Sequence, residues 1–258
     1  MEYTLITGAA SGLGKEFAKL YAKNKENLIL ADVNVNGLEI CKKEINKDFQ
    51  DVNVEIKAID VSDMDSIKLL ITQLENQKIF VSRLLNCAGF GDREDFLKMD
   101  IDKQIKMTEV NCNALLLLCH EFGKKMCEAH KGHIINVSSI AGFIPGPYMC
   151  TYHATKGYVL LLSESIAYEF NKFGVKVLTL CPGPFKSDFV KKAHNDYTFK
   201  KIKPLDAATV AKKAYKASRR GKKILITGFK NKLTIFVTRL FPRSLVTKVS
   251  AKNMKADA

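Results

Sequence analysis

Short apolar runs alternate with longer amphipathic stretches along this chain. The runs at residues 3–7, 28–31, 54–59, 83–86, 133–137, 175–180 and 223–227 have the length of buried strands. Between them, apolar residues recur at helical spacing over 13–23, 38–49, 64–76, 101–129, 152–173 and 207–217. Strands that are apolar almost throughout, separated by amphipathic helices, belong to a parallel sheet covered on both faces. The pattern predicts an α/β fold: a Rossmann-type, doubly wound, parallel seven-stranded sheet in a single domain. Ser62 with Asp65 three residues on reads as a capping box opening the third helix. Residues 183–204 show no periodicity, and a loop of that length inside a compact domain reads as a substrate lid. The chain thus divides into a catalytic unit over 1–228 and a basic amphipathic tail over 229–258.

Composition changes this picture little, whereas charge changes it at one end. With 258 residues, 47% hydrophobic and 26% charged, the chain can bury one large core and is not expected to be disordered. Its start runs directly into a β-like segment without the succession of a secretory signal, which predicts a cytoplasmic protein. Seven cysteines, at 41, 87, 112, 119, 127, 150 and 181, lack CxxC spacing and read as small buried apolar groups. The five histidines lack metal-ligand spacing, so no metal is expected. A net charge of +14 raises nucleic acid or anionic membrane as a partner. Residues 219–258 hold eleven Lys and Arg against one Asp, so that stretch carries +10 and everything before it only +4. No nucleic-acid-reading motif accompanies the cations, and nucleic acid ranks last. Over 231–254, Leu233, Ile235, Phe236, Val237, Leu240 and Phe241 interleave with them, and Pro242 must interrupt any helix there. Such a segment docks on its own domain, on a second subunit, or peripherally on a membrane.

The first strand feeds Thr7-Gly8-Ala9-Ala10-Ser11-Gly12-Leu13-Gly14, a glycine-rich turn that opens a helix. Glycines there allow close backbone approach, so the free N–H groups of the helix can receive a pyrophosphate. Asp32 closes the second strand, where a carboxylate accepts hydrogen bonds from ribose hydroxyls and repels a 2′-phosphate; this favours NAD, with NADP second. Lys15 is the counter-argument, as a cation beside the turn. The spacing is TGxxxGxG rather than GxGxxG, and it resembles the fingerprint of the short-chain dehydrogenase/reductase family. Asp60-Val61 at the end of the third strand and Asn86-Cys87-Ala88-Gly89 at the end of the fourth resemble that family's adenine-side and NNAG motifs, Cys87 replacing an Asn. The resemblance implies a cofactor site built from Gly8, Ser11, Gly12, Leu13, Gly14, Asp32, Asp60, Val61, Asn86, Ala88 and Gly89.

Tyr152 and Lys156 stand at i and i+4, on one helix face, thirteen residues after Ser139. This arrangement, between a glycine turn and Pro182-Gly183, resembles the family's catalytic set. A phenol with a pKa near 10 is a poor proton carrier at neutral pH unless a cation stabilises its anion, which Lys156 and an oxidised nicotinamide would do. Ser139 would hydrogen-bond the substrate oxygen. The resemblance further implies that Lys156 grips the nicotinamide ribose and that Asn111, rather than Asn113, holds a water in a proton relay. It also implies that Pro182, Gly183 and Ser187 orient the carboxamide. His153 reads as a helix residue beside the site.

An apolar stretch over 143–149 and the lid predict a lipophilic carbonyl or alcohol: fatty acyl, steroid, retinoid or similar. Family members pair through their two long helices, which implies a homodimer. The tail resembles that of the family's DltE-like branch. The expected function is an NAD(P)-dependent carbonyl–alcohol oxidoreductase; the alternative is a dinucleotide-sensing binding protein without turnover.

Overall fold

A computed structural model describes residues 1–186 and 204–254. Seven parallel strands form its central sheet: β1 (Glu2–Thr7), β2 (Asn27–Asp32), β3 (Val54–Ala58), β4 (Phe80–Asn86), β5 (Gly132–Val137), β6 (Val175–Cys181) and, after a minor pair, β9 (Ile224–Ile226). Their order across the sheet is β3-β2-β1-β4-β5-β6-β9, so the direction of winding reverses between β1 and β4. The minor pair, β7 (Phe185–Lys186) and β8 (Leu205–Asp206), joins the two ends of the predicted lid in parallel. The rest of that lid, with Ser187, lies outside the described residues.

Neighbouring strand residues point to opposite faces, and both faces are buried. Leu5, Ile29, Leu84, Ile134 and Val177 face one layer: α3 (Met64–Asn76), α5 (Ala114–Glu128) and α6 (Cys150–Asn171). Ile6, Leu30, Leu85, Ile135 and Leu178 face the other: α1 (Gly12–Lys23), α2 (Val35–Asp48) and α7 (Ala207–Arg219). Doubly buried strands explain why the sequence runs are apolar rather than alternating.

Two local expectations are corrected and a third is met. The capping box at Ser62 does not form: Asp63 caps α3 by accepting from Asp65 N at 3.0 Å, while Ser62 Oγ donates to Asp60 Oδ1 at 2.7 Å. The carboxylate at the end of the preceding turn outcompetes the helix for that hydroxyl. The helix expected over 101–129 is interrupted: α4 (Ile101–Thr108) passes through a π-helical turn, Glu109–Asn113, before α5 begins. The C-terminal segment is two helices, α8 (Phe229–Thr238) and α9 (Arg243–Met254), with Pro242 between them. They pack on the domain, burying Ile235 and Ser250, and Arg93 Nη2 donates to Met254 O.

Candidate functional site

The cleft forms where the winding reverses, at the carboxyl ends of β1 and β4, which is where open parallel sheets bind ligands. Two backbone devices shape it. Thr7 Oγ1 accepts from both Cys87 N (3.2 Å) and Ala88 N (3.1 Å), tying the end of β1 to the end of β4. Gly8 has a φ of +67°, and a Cβ on it would sit 2.8 Å from Ala88 N; a Cβ on Gly14 would sit 2.1 Å from Gly8 O. The first turn of α1 therefore lies directly against the β1 end, with its unpaired N–H groups facing the cleft.

The resulting cavity, about 500 Å³, is lined by Gly8, Ser11, Gly12, Leu13, Gly14, Asp32, Asp60, Val61, Ala88, Gly89, Ser139, Tyr152, Lys156, Pro182 and Gly183, all singled out from the sequence. Asp32 is held in place by Ala10 N (3.1 Å) and Asn34 N (3.0 Å). Lys15, the cation weighed against it, is drawn away to Glu44 at 2.8 Å and does not line the cavity. Asp60 pairs with Lys106 at 3.1 Å; hydrogen bonds from Ser62 and Lys106 outweigh its partial burial and lower its pKa.

Tyr152 and Lys156 project from successive turns of α6, with the Lys156 ammonium 5.8 Å from the Tyr152 ring centroid. Lys156 is buried and donates to Val137 O at 2.9 Å; burial brings its pKa down to about 8. Burial pushes the Tyr152 phenol up to about 12, partly offset by its hydrogen bond with the Ser139 side chain. Ser139 stays fixed at the end of β5 because its Oγ also accepts from Ala141 N at 3.1 Å. A phenol, a hydroxyl and an ammonium thus converge at one end of the cleft, a set suited to passing a proton to or from a substrate oxygen.

Two sequence-selected residues lie outside the cavity lining. Asn86 is buried beneath it, donating to Asn136 Oδ1 at 2.8 Å and Cys119 Sγ at 3.3 Å. Asn111, in the π-helical turn, clamps the backbone of Phe90: its Oδ1 accepts from Phe90 N (3.0 Å) and its Nδ2 donates to Phe90 O (2.9 Å) and Thr155 Oγ1 (3.0 Å). It stays close to the site, since a Cβ on Gly89 would lie 2.9 Å from Asn111 Oδ1 and 3.3 Å from Lys156 Nζ. Of the stretch 143–149, Ile144 and Met149 reach the cavity, beside Ile140, Ala141 and His153. His153 is fixed by Ile144 O at 2.9 Å and its burial lowers its pKa.

Sequence reasoning missed the roof. Asn231, Thr234 and Ile235 of α8 and Met254 of α9 line the cavity, and Asn231 packs so close to Gly183 that a Cβ there would lie 2.1 Å from Asn231 Nδ2. The available signal was the spacing of Asn231, Thr234 and Ile235, one helix face opposite the exposed apolar one that the cations flank.

Known proteins resemble this chain in sequence and in fold. The short chain dehydrogenase profile matches residues 2–198. The chain is 31% identical over 189 residues to the 3-oxoacyl-[acyl-carrier-protein] reductase FabG of Rickettsia conorii, covering 73% of this chain and 75% of that protein. It is 28% identical over 204 residues to an uncharacterized oxidoreductase of Staphylococcus aureus, covering 79% and 86%. Among solved structures, a short-chain dehydrogenase from Sphingobium yanoikuyae in complex with NADPH superposes with a TM-score of 0.83 at 22% identity, covering 93% of this chain and 94% of that one.

Proposed function

The chain belongs to the short chain dehydrogenase family, and on that premise we propose that it is an NAD(P)-dependent oxidoreductase interconverting a lipophilic carbonyl and its secondary alcohol. The observation that carries the proposal is the convergence of Tyr152, Ser139 and Lys156 on a cleft whose other end is a glycine cradle at the N-terminus of α1. That cradle fits a dinucleotide: side chains are excluded at Gly8 and Gly14, and free N–H groups of the helix supply the anion site. When bound, the nicotinamide supplies the hydride acceptor or donor. Tyr152 carries the proton of the substrate oxygen, Ser139 hydrogen-bonds that oxygen, and Lys156 holds positive charge beside the phenol. Asn111 positions Phe90 and Thr155 around Lys156 and serves the relay from there. Pro182 and Gly183, with Ser187, orient the carboxamide.

NAD is favoured over NADP because Asp32 faces the cavity while Lys15 is engaged by Glu44. The lipophilic assignment rests on Ile140, Ile144, Met149, Ile235 and Met254 around the substrate end. Fatty acyl, steroid and retinoid carbonyls fit this lining, and the name of the Rickettsia relative makes a 3-oxoacyl compound the first to assay. A homodimer paired through α5 and α6 accords with the exposure of Leu116, Leu161 and Tyr168 on them. Cytoplasmic residence and kinship with the DltE-like branch complete the reading. Turnover of carbonyls and alcohols with NAD(H) and NADP(H), measured beside Tyr152→Phe, tests it. Expected is NAD(H)-dependent turnover abolished by the Phe variant; a Phe variant as active as the parent refutes the mechanism and leaves the non-catalytic dinucleotide binder.

A further inference from the structure

The two helices that roof the cleft have outer faces that nothing among the described residues covers. On α8 and the turn that follows it, Phe229 (80% exposed), Leu233 (52%), Phe236 (62%), Val237 (38%) and Leu240 (68%) recur at helical spacing. With 3.6 residues per turn they form a stripe about 100° wide, with Lys230 along one edge and Lys232 and Arg239 along the other. Phe241 and, on α9, Leu245 and Val249 extend the apolar surface, flanked by Arg243, Lys248 and Lys252. Residues 229–254 contain no Asp or Glu. The buried Ile235 and the cavity-lining Asn231 and Thr234 lie on the opposite side of α8, so the apolar stripe facing solvent takes no part in packing this helix on the cleft.

We propose that this outer face docks on an anionic phospholipid bilayer, α8 lying in the headgroup plane with its stripe at the acyl boundary. Charge complementarity selects this occupant. A second copy would set one cationic face against another, which like-charge repulsion opposes. An anionic bilayer accepts the cations at its phosphates and the apolar stripe between them in a single contact. No helix among the described residues is long and apolar enough to cross a membrane, so the contact is peripheral. A corollary, which rests on the function proposed above, is that lipophilic substrate reaches the cleft from the lipid phase beneath α8.

The test is co-sedimentation of the full chain with vesicles of phosphatidylcholine alone or mixed equally with phosphatidylglycerol, without cofactor or substrate. Binding to the mixed vesicles only, reversed by salt, is expected. The triple variant K230Q/K232Q/R239Q should weaken it about a hundred-fold, on the order of five-fold per cation. F236S/L240S, at exposed positions outside the cavity lining, should abolish stable binding while leaving the thermal transition unchanged. Failure to bind the mixed vesicles overturns the proposal, as does binding indifferent to F236S/L240S. A concentration-dependent rise in mass in light scattering, removed by F236S/L240S, would instead assign the face to self-association and overturn it too. Because no step of this assay needs turnover, its failure leaves the proposed chemistry standing.

Discussion

Replacing Lys156 by Met removes one positive charge at nearly constant shape from a buried position 5.8 Å from the Tyr152 ring centroid. Taking that separation and an effective dielectric constant of about 20, the lost attraction for a phenolate is about 3 kcal/mol, or about 2 pH units. The sign follows from which form the ammonium favours. It stabilises the ionised phenol, so its removal raises the phenol pKa, and the limb of alcohol oxidation that rises with pH moves upward by about 2 units. At a fixed pH below that limb the rate falls about a hundred-fold. Burial brings the Lys156 pKa down to about 8 beside the neutral phenol, and an ionised phenol raises it again through the same attraction, so the charge is present while the phenol ionises. The assay is kcat/KM for alcohol oxidation against pH for parent and variant under saturating NAD. A limb that keeps its position while only the rate drops would refute the electrostatic role and leave Lys156 as a ligand-holding group.

Other consequences follow from neighbouring contacts. Asp32→Asn removes a carboxylate facing the cavity, and the ratio of NADP to NAD turnover should rise by roughly ten-fold or more; an unchanged ratio would show that Asp32 does not read the ribose. Gly14→Ala forces a methyl group to 2.1 Å from the Gly8 carbonyl, a backbone atom that cannot turn aside, so titration should show strongly weakened NADH binding and melting a stability loss of about 1–3 kcal/mol. Normal affinity in that variant would contradict the packing of the turn. Burial, with Arg83, Lys176 and Arg219 nearby, lowers the His133 pKa to about 4. This lowered histidine stabilises the fold fully above its unfolded value of about 6.5, and about 3 kcal/mol is lost as pH falls from there toward 4. His133→Asn should flatten the dependence of stability on pH across that window; denaturation curves of equal slope for parent and variant would exclude His133 as the source.

The sheet was legible because its strands are buried on both sides, and runs such as that around Leu28, Ile29 and Leu30 leave no other reading. Most of the cleft was legible for a different reason: Gly8, Gly14, Ser139, Tyr152 and Lys156 each satisfy a local requirement visible as spacing. What escaped depended on contacts between distant segments. The capping of α3 was decided by Asp60 competing for Ser62. Asn86 was drawn under the cleft by Asn136, fifty residues away, and cannot be distinguished in sequence from a cleft residue. The roof was hidden because the charge of the tail dominates its pattern, although Ile235 and Asn231 carry the inward face.

The π-helical turn at Glu109–Asn113 makes the rod from Ile101 to Glu128 one residue longer than a regular helix of the same span would accommodate. Deleting a single residue there would let the rod relax to uniform α geometry, both halves keeping their seats and only the turn itself changing phase. α5 would keep its seat on the sheet while Asn111 lost its grip on Phe90 and Thr155. In this rod the vital information is thus a phase rather than a side chain: the fold would tolerate the shortened version, and the chemistry would register the missing residue.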